Sequence, residues 1–197
     1  MRKSVVISVI TFALLSTGLS TANAHVEVQL RGYSNKAGDE SQIVLRAEHG
    51  CMHNNAMYAT EQLQLQVPNA AGRPKPGFLP GFVASVVDSK TKDSKGIPVS
   101  YTVTWKAKNS TSAIDGNSFF EVGLLTTWSS TPQKIFIPAT QTCTVTKIPS
   151  SGMGAMTMNA KDVGKKLYLK WTVTTGATPK NTADTEYGPA AEITTVK

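Results

Sequence analysis

The sequence predicts an all-β protein, and three observations lead to that prediction. Apolar and polar residues alternate in several short runs, as at residues 99–105, where every second side chain is apolar. Segments rich in glycine, proline, asparagine and aspartate separate these runs and are typical of turns. No long stretch shows the apolar spacing of an amphipathic helix. Together the patterns favour an antiparallel β-sandwich of immunoglobulin-like architecture, folded as a single domain.

The individual strands follow from the same alternation. In chain order the predicted strands are residues 26–30, 42–47, 63–67, 82–88, 99–105, 119–126, 134–138, 142–148, 167–174 and 190–196. Most of these runs have one polar face, so we expect each strand to cover a core on one side and to meet solvent on the other. The polar segment 178–188 is predicted to be a loop.

Residues 1–24 have the three parts of a secretory signal peptide. Arg2 and Lys3 precede an apolar run at 5–15, and small residues follow it up to Ala-Asn-Ala at 22–24. The run is shorter than a membrane span, and no second long apolar stretch occurs. We therefore expect cleavage after Ala24, a periplasmic or secreted mature protein over residues 25–197, and no membrane anchor in it.

The charge pattern argues against a nucleic-acid partner. The chain has a formal net charge of +7, but its basic residues do not form a block. Lys90, Lys92 and Lys95, for example, are interleaved with Asp88 and Asp93. Such mixing is typical of a solvated surface rather than of a phosphate-binding patch.

Cys51 and Cys143 are the only cysteines. In an oxidising compartment a widely spaced pair favours one disulfide, which stabilises a fold by about 2–4 kcal/mol. The alternative, a thiolate copper or zinc site, needs more ligands at close spacing than these two cysteines provide.

The predicted cleavage places a histidine at the new N-terminus. His25 would then have a free α-amine beside its imidazole, and the amine nitrogen and ring Nδ1 can bind one metal ion together. Nitrogen and oxygen donors of this kind suit Cu(II). The other two histidines, His49 and His53, lie in Glu-His-Gly-Cys-Met-His at 48–53, where Glu48 and Met52 are further donors.

Methionine thioethers offer a softer set of donors. Met153, Met156 and Met158 occur in a glycine-containing segment, and Met57 lies elsewhere. Thioethers suit Cu(I). Methionine also fills gaps in protein cores, so packing is favoured over Cu(I) binding for the 153–158 segment.

Arrangements typical of catalysis are absent from the sequence. There is no Gly-x-Ser-x-Gly elbow, no phosphate-binding glycine loop and no cysteine with the features of a nucleophile. We therefore predict that the protein is not an enzyme. The tryptophans, Trp105, Trp128 and Trp171, are each expected in the core of the sandwich.

A series of landmarks runs in order through residues 24–143. They are Ala-His-Val-Glu-Val at 24–28, Leu-Arg-Ala-Glu-His-Gly-Cys at 45–51, the strand at 63–68, the Lys-Pro-Gly to Pro-Gly loop at 75–81, Val-Thr-Trp at 103–105, Phe-Phe-Glu-Val at 119–122 and Phe-Ile-Pro-Ala-Thr-Gln-Thr-Cys at 136–143. In this series the chain resembles the YcnI-like copper-binding domain family, secreted β-sandwiches of bacterial copper-homeostasis loci.

The resemblance implies a copper site. In that family the N-terminal histidine, here His25, binds Cu(II) through its amine and imidazole, and a carboxylate completes the site. Glu48 lies nearest to the family's acidic position, with Glu121 and Glu27 as alternatives.

The family also places a tryptophan near the metal. Trp171 resembles this residue, with Trp105 and Trp128 as alternatives. Residues 144–170 make a longer connection than the family usually has at this point, and we assign the extra loop to about residues 147–165.

The function expected from the resemblance is a periplasmic copper chaperone or buffer, with other copper-handling proteins as partners. Two alternatives remain at this stage. One is a histidine-brace copper oxygenase, which would need His49 or His53 as its second brace histidine. The other is a metal-free β-sandwich that acts in adhesion or assembly.

Overall fold

The computed structural model describes residues 26–148 and 159–197. In this part of the chain nearly all regular structure is β. The strands are β1 (Val26–Gln29), β2 (Glu40–Ala47), β3 (Cys51–His53), β4 (Ala56–Tyr58), β5 (Thr60–Pro68), β6 (Lys75–Pro76), β7 (Phe82–Asp88), β8 (Ser100–Ala107), β9 (Phe120–Thr127), β10 (Lys134–Ile137), β11 (Ala139–Thr144), β12 (Lys166–Val173), β13 (Thr185–Pro189) and β14 (Ala191–Thr194). Three single-turn 3-10 helices, Asn69–Ala71, Ser110–Ser112 and Ala160–Asp162, lie between strands.

The strands form two main sheets. One has four strands in the order β1-β2-β9-β6, and the other has six in the order β13-β12-β11-β5-β8-β7. β10 pairs with β14, and β3 pairs with β4 in a separate hairpin. Inward side chains of both main sheets share one buried cluster. The predicted all-β sandwich is therefore confirmed.

The alternation in sequence explains which side chains form this core. In β5, Leu63, Leu65 and Val67 are buried, while the glutamines between them face outward. The neighbouring β8 also buries one row of side chains. Its buried Val103 is the ladder partner of Leu65. Matching inward rows on paired strands remove a continuous apolar surface from water, which is the main favourable term in folding.

Several predicted elements differ from the observed strands. The segment predicted as a loop at 178–188 contains the start of β13, which pairs in parallel with β12. β13 lies at a sheet edge, where pairing does not require apolar alternation. The strand predicted at 142–148 is β11, which begins at Ala139 and ends at Thr144. Pro138 lacks an N–H and separates β10 from β11. The β3–β4 hairpin was also not predicted, because we expected no strand at 51–58.

The extra loop assigned to residues 147–165 lies partly outside the described residues, which end at 148 and resume at 159. Its last part contains the 3-10 turn Ala160–Asp162. The Asn159 side chain accepts a hydrogen bond from the backbone N–H of Lys161, and Asp162 accepts one from the backbone of Asn159.

The predicted disulfide is confirmed. Cys51 and Cys143 are joined with an S–S distance of 2.04 Å across a sequence separation of 92 residues. The bond connects β3 with β11, so it attaches the segment that follows β2 to the opposite sheet. None of the helices in residues 26–148 and 159–197 has the length and apolar character that a bilayer crossing requires.

Removing the disulfide should destabilise the protein substantially. We expect the double variant Cys51→Ala, Cys143→Ala to lose about 2–5 kcal/mol of unfolding free energy, because the open chain has more unfolded conformations. Urea unfolding with and without a reductant measures the effect. Reduction should destabilise the wild type by a similar amount and leave the double variant unchanged; a wild type insensitive to reduction would contradict the prediction.

Candidate functional site

The end of the four-stranded sheet brings the start of β1 next to the end of β2. Val26 is the ladder partner of Ala47, and Ala47 is also the partner of Phe120 on β9. Glu48 follows Ala47 directly, at the point where β2 ends. His25 lies outside the described residues, and it is the residue covalently attached to Val26.

Glu48 is exposed to solvent at this point. The ion pairs among residues 26–148 and 159–197 do not include it. Its carboxylate is therefore accessible to a cation that approaches this end of the sheet.

Glu121, an alternative oxygen donor, has a different environment. Arg46 is its ladder partner, and both Nε and Nη2 of Arg46 donate to the Oε1 of Glu121 at 3.1 Å. Arg31 Nη2 donates to the same oxygen. Two guanidinium groups thus compensate the charge of Glu121, and their positive charges oppose the approach of a metal cation.

Arg46 also separates Glu121 from Glu27, the third candidate carboxylate. Glu27 on β1 is the other ladder partner of Arg46, so the three side chains form one row across the sheet. Glu27 is exposed. The Arg46 guanidinium lies 5.4 Å from the centre of the exposed Phe119 ring, an arrangement that permits a cation–π contact.

His53 is held by contacts that fit a structural role. It is buried, and its Nδ1 lies 2.8 Å from the carbonyl oxygen of Ala183. A carbonyl only accepts, so Nδ1 carries the proton and donates. Nε2 then accepts from the Asn54 side-chain amide at 3.2 Å. Both ring nitrogens are occupied, so metal binding through Nε2 would have to displace the hydrogen bond from Asn54.

His49 is only partly buried, and its Nδ1 lies 2.6 Å from the carbonyl oxygen of the next residue, Gly50. Gln141 supports this segment from β11, because its Nε2 donates to the carbonyl oxygen of His49 at 2.8 Å and to Thr60 Oγ1 at 2.6 Å. The structure does not bring His49 and His53 together through a shared contact among the described residues.

The turn after His49 depends on close backbone packing. A Cβ atom at Gly50 would lie 2.0 Å from the carbonyl oxygen of Tyr58, so only glycine fits there. Gly50 N–H also donates to the carbonyl oxygen of Gly116 at 2.8 Å. Tyr58 is buried at this junction; burial raises the pKa of its phenol, and the negative charge of Asp162 raises it further.

The three tryptophans are all buried, as predicted. Trp105 Nε1 donates to the carbonyl oxygen of Gly77 at 3.0 Å, and Trp128 Nε1 donates to that of Ser34 at 2.8 Å. Trp171 lies on β12 of the six-stranded sheet and belongs to the same buried cluster as Val26 and Ala47.

The methionines considered as soft metal donors lie only partly within the described residues. Met153, Met156 and Met158 lie outside the described residues. Within residues 26–148 and 159–197, no three His, Cys, Asp or Glu side chains gather closely enough to hold a metal ion. The pairing of Met52 with Met57 across the β3–β4 hairpin was missed, although Asn-Asn between them is a recognisable turn signal.

Comparison with known proteins supports the fold. No family model matches the chain, and no curated protein matches it. Among solved structures, the chain is similar to an uncharacterized protein from Nocardia farcinica, whose crystal structure is described as revealing an immunoglobulin-like fold. The two share 20% sequence identity with a TM-score of 0.53, over 88% of this chain and 99% of that one. The immunoglobulin-like prediction is thereby confirmed.

The contacts of the two described histidines predict different effects on stability. His53→Ala should lower the free energy of unfolding by about 1–3 kcal/mol, because a buried ring and its hydrogen bonds with Ala183 and Asn54 are lost. His49→Ala removes only a partly exposed ring bonded to its neighbour, so a loss below about 1 kcal/mol is expected. Urea unfolding of both variants makes the comparison, and equal losses would show that His53 has no special structural role.

Proposed function

We propose that the processed protein binds Cu(II) at its N-terminus and acts outside the cytoplasm as a copper chaperone or buffer. The ligands are the α-amine and imidazole of His25 and a carboxylate oxygen of Glu48. The observation that supports this proposal best is the register of β1 on β2, which pairs Val26 with Ala47.

The register matters because the strands are antiparallel. Moving from Val26 towards the N-terminus follows the same direction as moving from Ala47 towards Glu48. Ladder partners have Cα atoms about 4.5–5.5 Å apart. The residues attached to the two partners are His25 and Glu48, so the proposed nitrogen and oxygen donors are anchored at neighbouring points of the sheet.

The charges around the carboxylates favour the same choice. Glu48 is exposed and forms no ion pair with another described residue, whereas Glu121 is bonded by Arg31 and Arg46. A cation is attracted by an uncompensated carboxylate and repelled by a guanidinium pair. Glu48 is therefore a better oxygen donor for copper than Glu121.

The donor set also fits the metal. An amine, an imidazole and a carboxylate are nitrogen and oxygen ligands, which Cu(II) accepts in tetragonal geometry. The described residues contain no three-residue group of His, Cys, Asp and Glu for a metal, so this site depends on the N-terminal residue. The family resemblance assigns a tryptophan near the metal, and Trp171 on β12 is the candidate for it.

The central test is to block the amine. Mature protein with one extra residue before His25 should lose most of its Cu(II) affinity, because the amine becomes part of a peptide bond and the chelate is broken. Cu(II) titration and the EPR spectrum of the loaded protein measure this. Undiminished affinity with an unchanged spectrum would exclude the proposed site.

Two matched variants test whether Glu48 is the oxygen donor. Glu48→Gln should weaken Cu(II) binding at least about tenfold, since even outer-shell partners of a metal typically contribute about 10–100-fold to affinity. Glu27→Gln removes a carboxylate closer to His25 in sequence and should leave the affinity unchanged. A larger effect for Glu27→Gln would assign the oxygen ligand to Glu27 instead.

Two further experiments distinguish a copper carrier from the two alternative functions. Replacing His49 and His53 together should leave the Cu(II) spectrum unaltered in a copper carrier; a changed nitrogen coordination would favour the oxygenase arrangement. Thermal melts with excess Cu(II) should show a raised melting temperature, because a ligand that binds only the folded state stabilises it. No shift would favour a metal-free module.

A further inference from the structure

The β3–β4 hairpin presents two methionines side by side. Its turn residues, Asn54 and Asn55, both have positive φ, 47° and 59°. A two-residue turn with both φ angles positive is type I′, which suits a tight hairpin. Across this hairpin Met52 is the ladder partner of Met57.

The register brings the two methionine side chains as close as a sheet allows. In a two-residue hairpin the pair next to the turn, here His53 and Ala56, exchanges hydrogen bonds. The next pair, Met52 and Met57, is then a non-hydrogen-bonded pair, and its Cβ atoms lie about 4.5–5.5 Å apart on one face. Methionine side chains are long and flexible, so the two thioether sulfurs can bind a single ion together.

This face of the hairpin is open to solvent. Met52 is 52% exposed and Met57 is 37% exposed, whereas Cys51, His53 and Tyr58 on the opposite face are buried. The pair is therefore not used to fill the core, which is the usual role of methionine.

The hairpin is held from several sides. Cys51 is joined to Cys143, and His53 donates to the carbonyl oxygen of Ala183. Gly116 lies against the other strand, since a Cβ atom there would be 2.9 Å from the carbonyl carbon of Met57. Because these contacts already fix the backbone, binding of an ion by the two side chains costs little further backbone conformational entropy.

We propose that Met52 and Met57 bind Cu(I) as a pair of thioether ligands, at a second site separate from the N-terminal one. Thioethers are soft donors that select Cu(I), whereas the amine, imidazole and carboxylate proposed at the N-terminus suit Cu(II). The remaining coordination positions face solvent, which permits the ion to be passed to or taken from another molecule. No electron transfer between the sites is involved.

Ag(I) is the probe for this site, because it is a soft monovalent ion that does not change oxidation state and needs no reductant that would open the disulfide. In mature protein with ¹³C-labelled methionine methyl groups, the Met52 and Met57 signals should shift together and saturate at one equivalent of Ag(I). Leucine variants assign the signals. Shifts confined to Met153, Met156 and Met158 would overturn the proposal.

The variants Met52→Leu and Met57→Leu keep the size of these exposed side chains, so folding should be retained, and circular dichroism checks it. Each should weaken Ag(I) binding at least about tenfold, since even outer-shell partners of a metal typically contribute about 10–100-fold to affinity. The control replaces Met153, Met156 and Met158 with leucine and should keep the one-equivalent site. Undiminished binding by the double variant Met52→Leu, Met57→Leu would refute the assignment.

The two proposed sites are tested independently. Protein with an extra residue before His25 should still bind Ag(I) at Met52 and Met57, and the double leucine variant should still bind Cu(II) with an unchanged EPR spectrum. Loss of Ag(I) binding on blocking the amine would show that the methionines do not form a separate site.

Discussion

The Cys51–Cys143 disulfide is the constraint on which the arrangement of both proposed sites depends. Glu48 and His49 precede Cys51, and Met52 follows it. β2 belongs to the four-stranded sheet, and β11, which contains Cys143, belongs to the six-stranded one. The covalent bond therefore holds the segment after β2 against the opposite sheet. Gln141, on the same strand as Cys143, adds a hydrogen bond to the carbonyl oxygen of His49. A chain segment with short strands and few apolar residues gains a fixed position in this way.

Around this anchor, identical functional groups are given different roles by their neighbours. Glu121 forms ion pairs with Arg31 and Arg46 on the sheet surface, while Glu48 remains accessible to solvent. His53 attaches the hairpin to Ala183 through Nδ1 and bonds Asn54 through Nε2, while the His49 ring forms a hydrogen bond with its neighbour Gly50. Residue type alone would make each pair equivalent; burial and charge distinguish them.

These differences mark the limit of what the sequence predicts. The strands with clear alternation, such as β5 and β8, were predicted because burial of one face leaves a period of two in the sequence. β13 was missed because a polar edge strand is defined by its pairing with β12, which leaves no local pattern. The cysteine count predicts the disulfide, but it does not predict that this bond fixes the hairpin that contains Met52. The contacts of Glu121 with Arg31 and Arg46 join residues distant in sequence, so no local pattern separates it from Glu48.

The proposed sites share one further dependence, on export. In the proposed processing, the α-amine of His25 stays in a peptide bond until cleavage after Ala24, so the proposed Cu(II) chelate could not form in the precursor. Disulfides form and persist in oxidising compartments and are rare in the cytosol. The bond that fixes the Met52 and Met57 hairpin is thus also expected only after export. With the proposed export, both proposed sites would form only outside the cytoplasm, and the precursor would bind copper at neither of them.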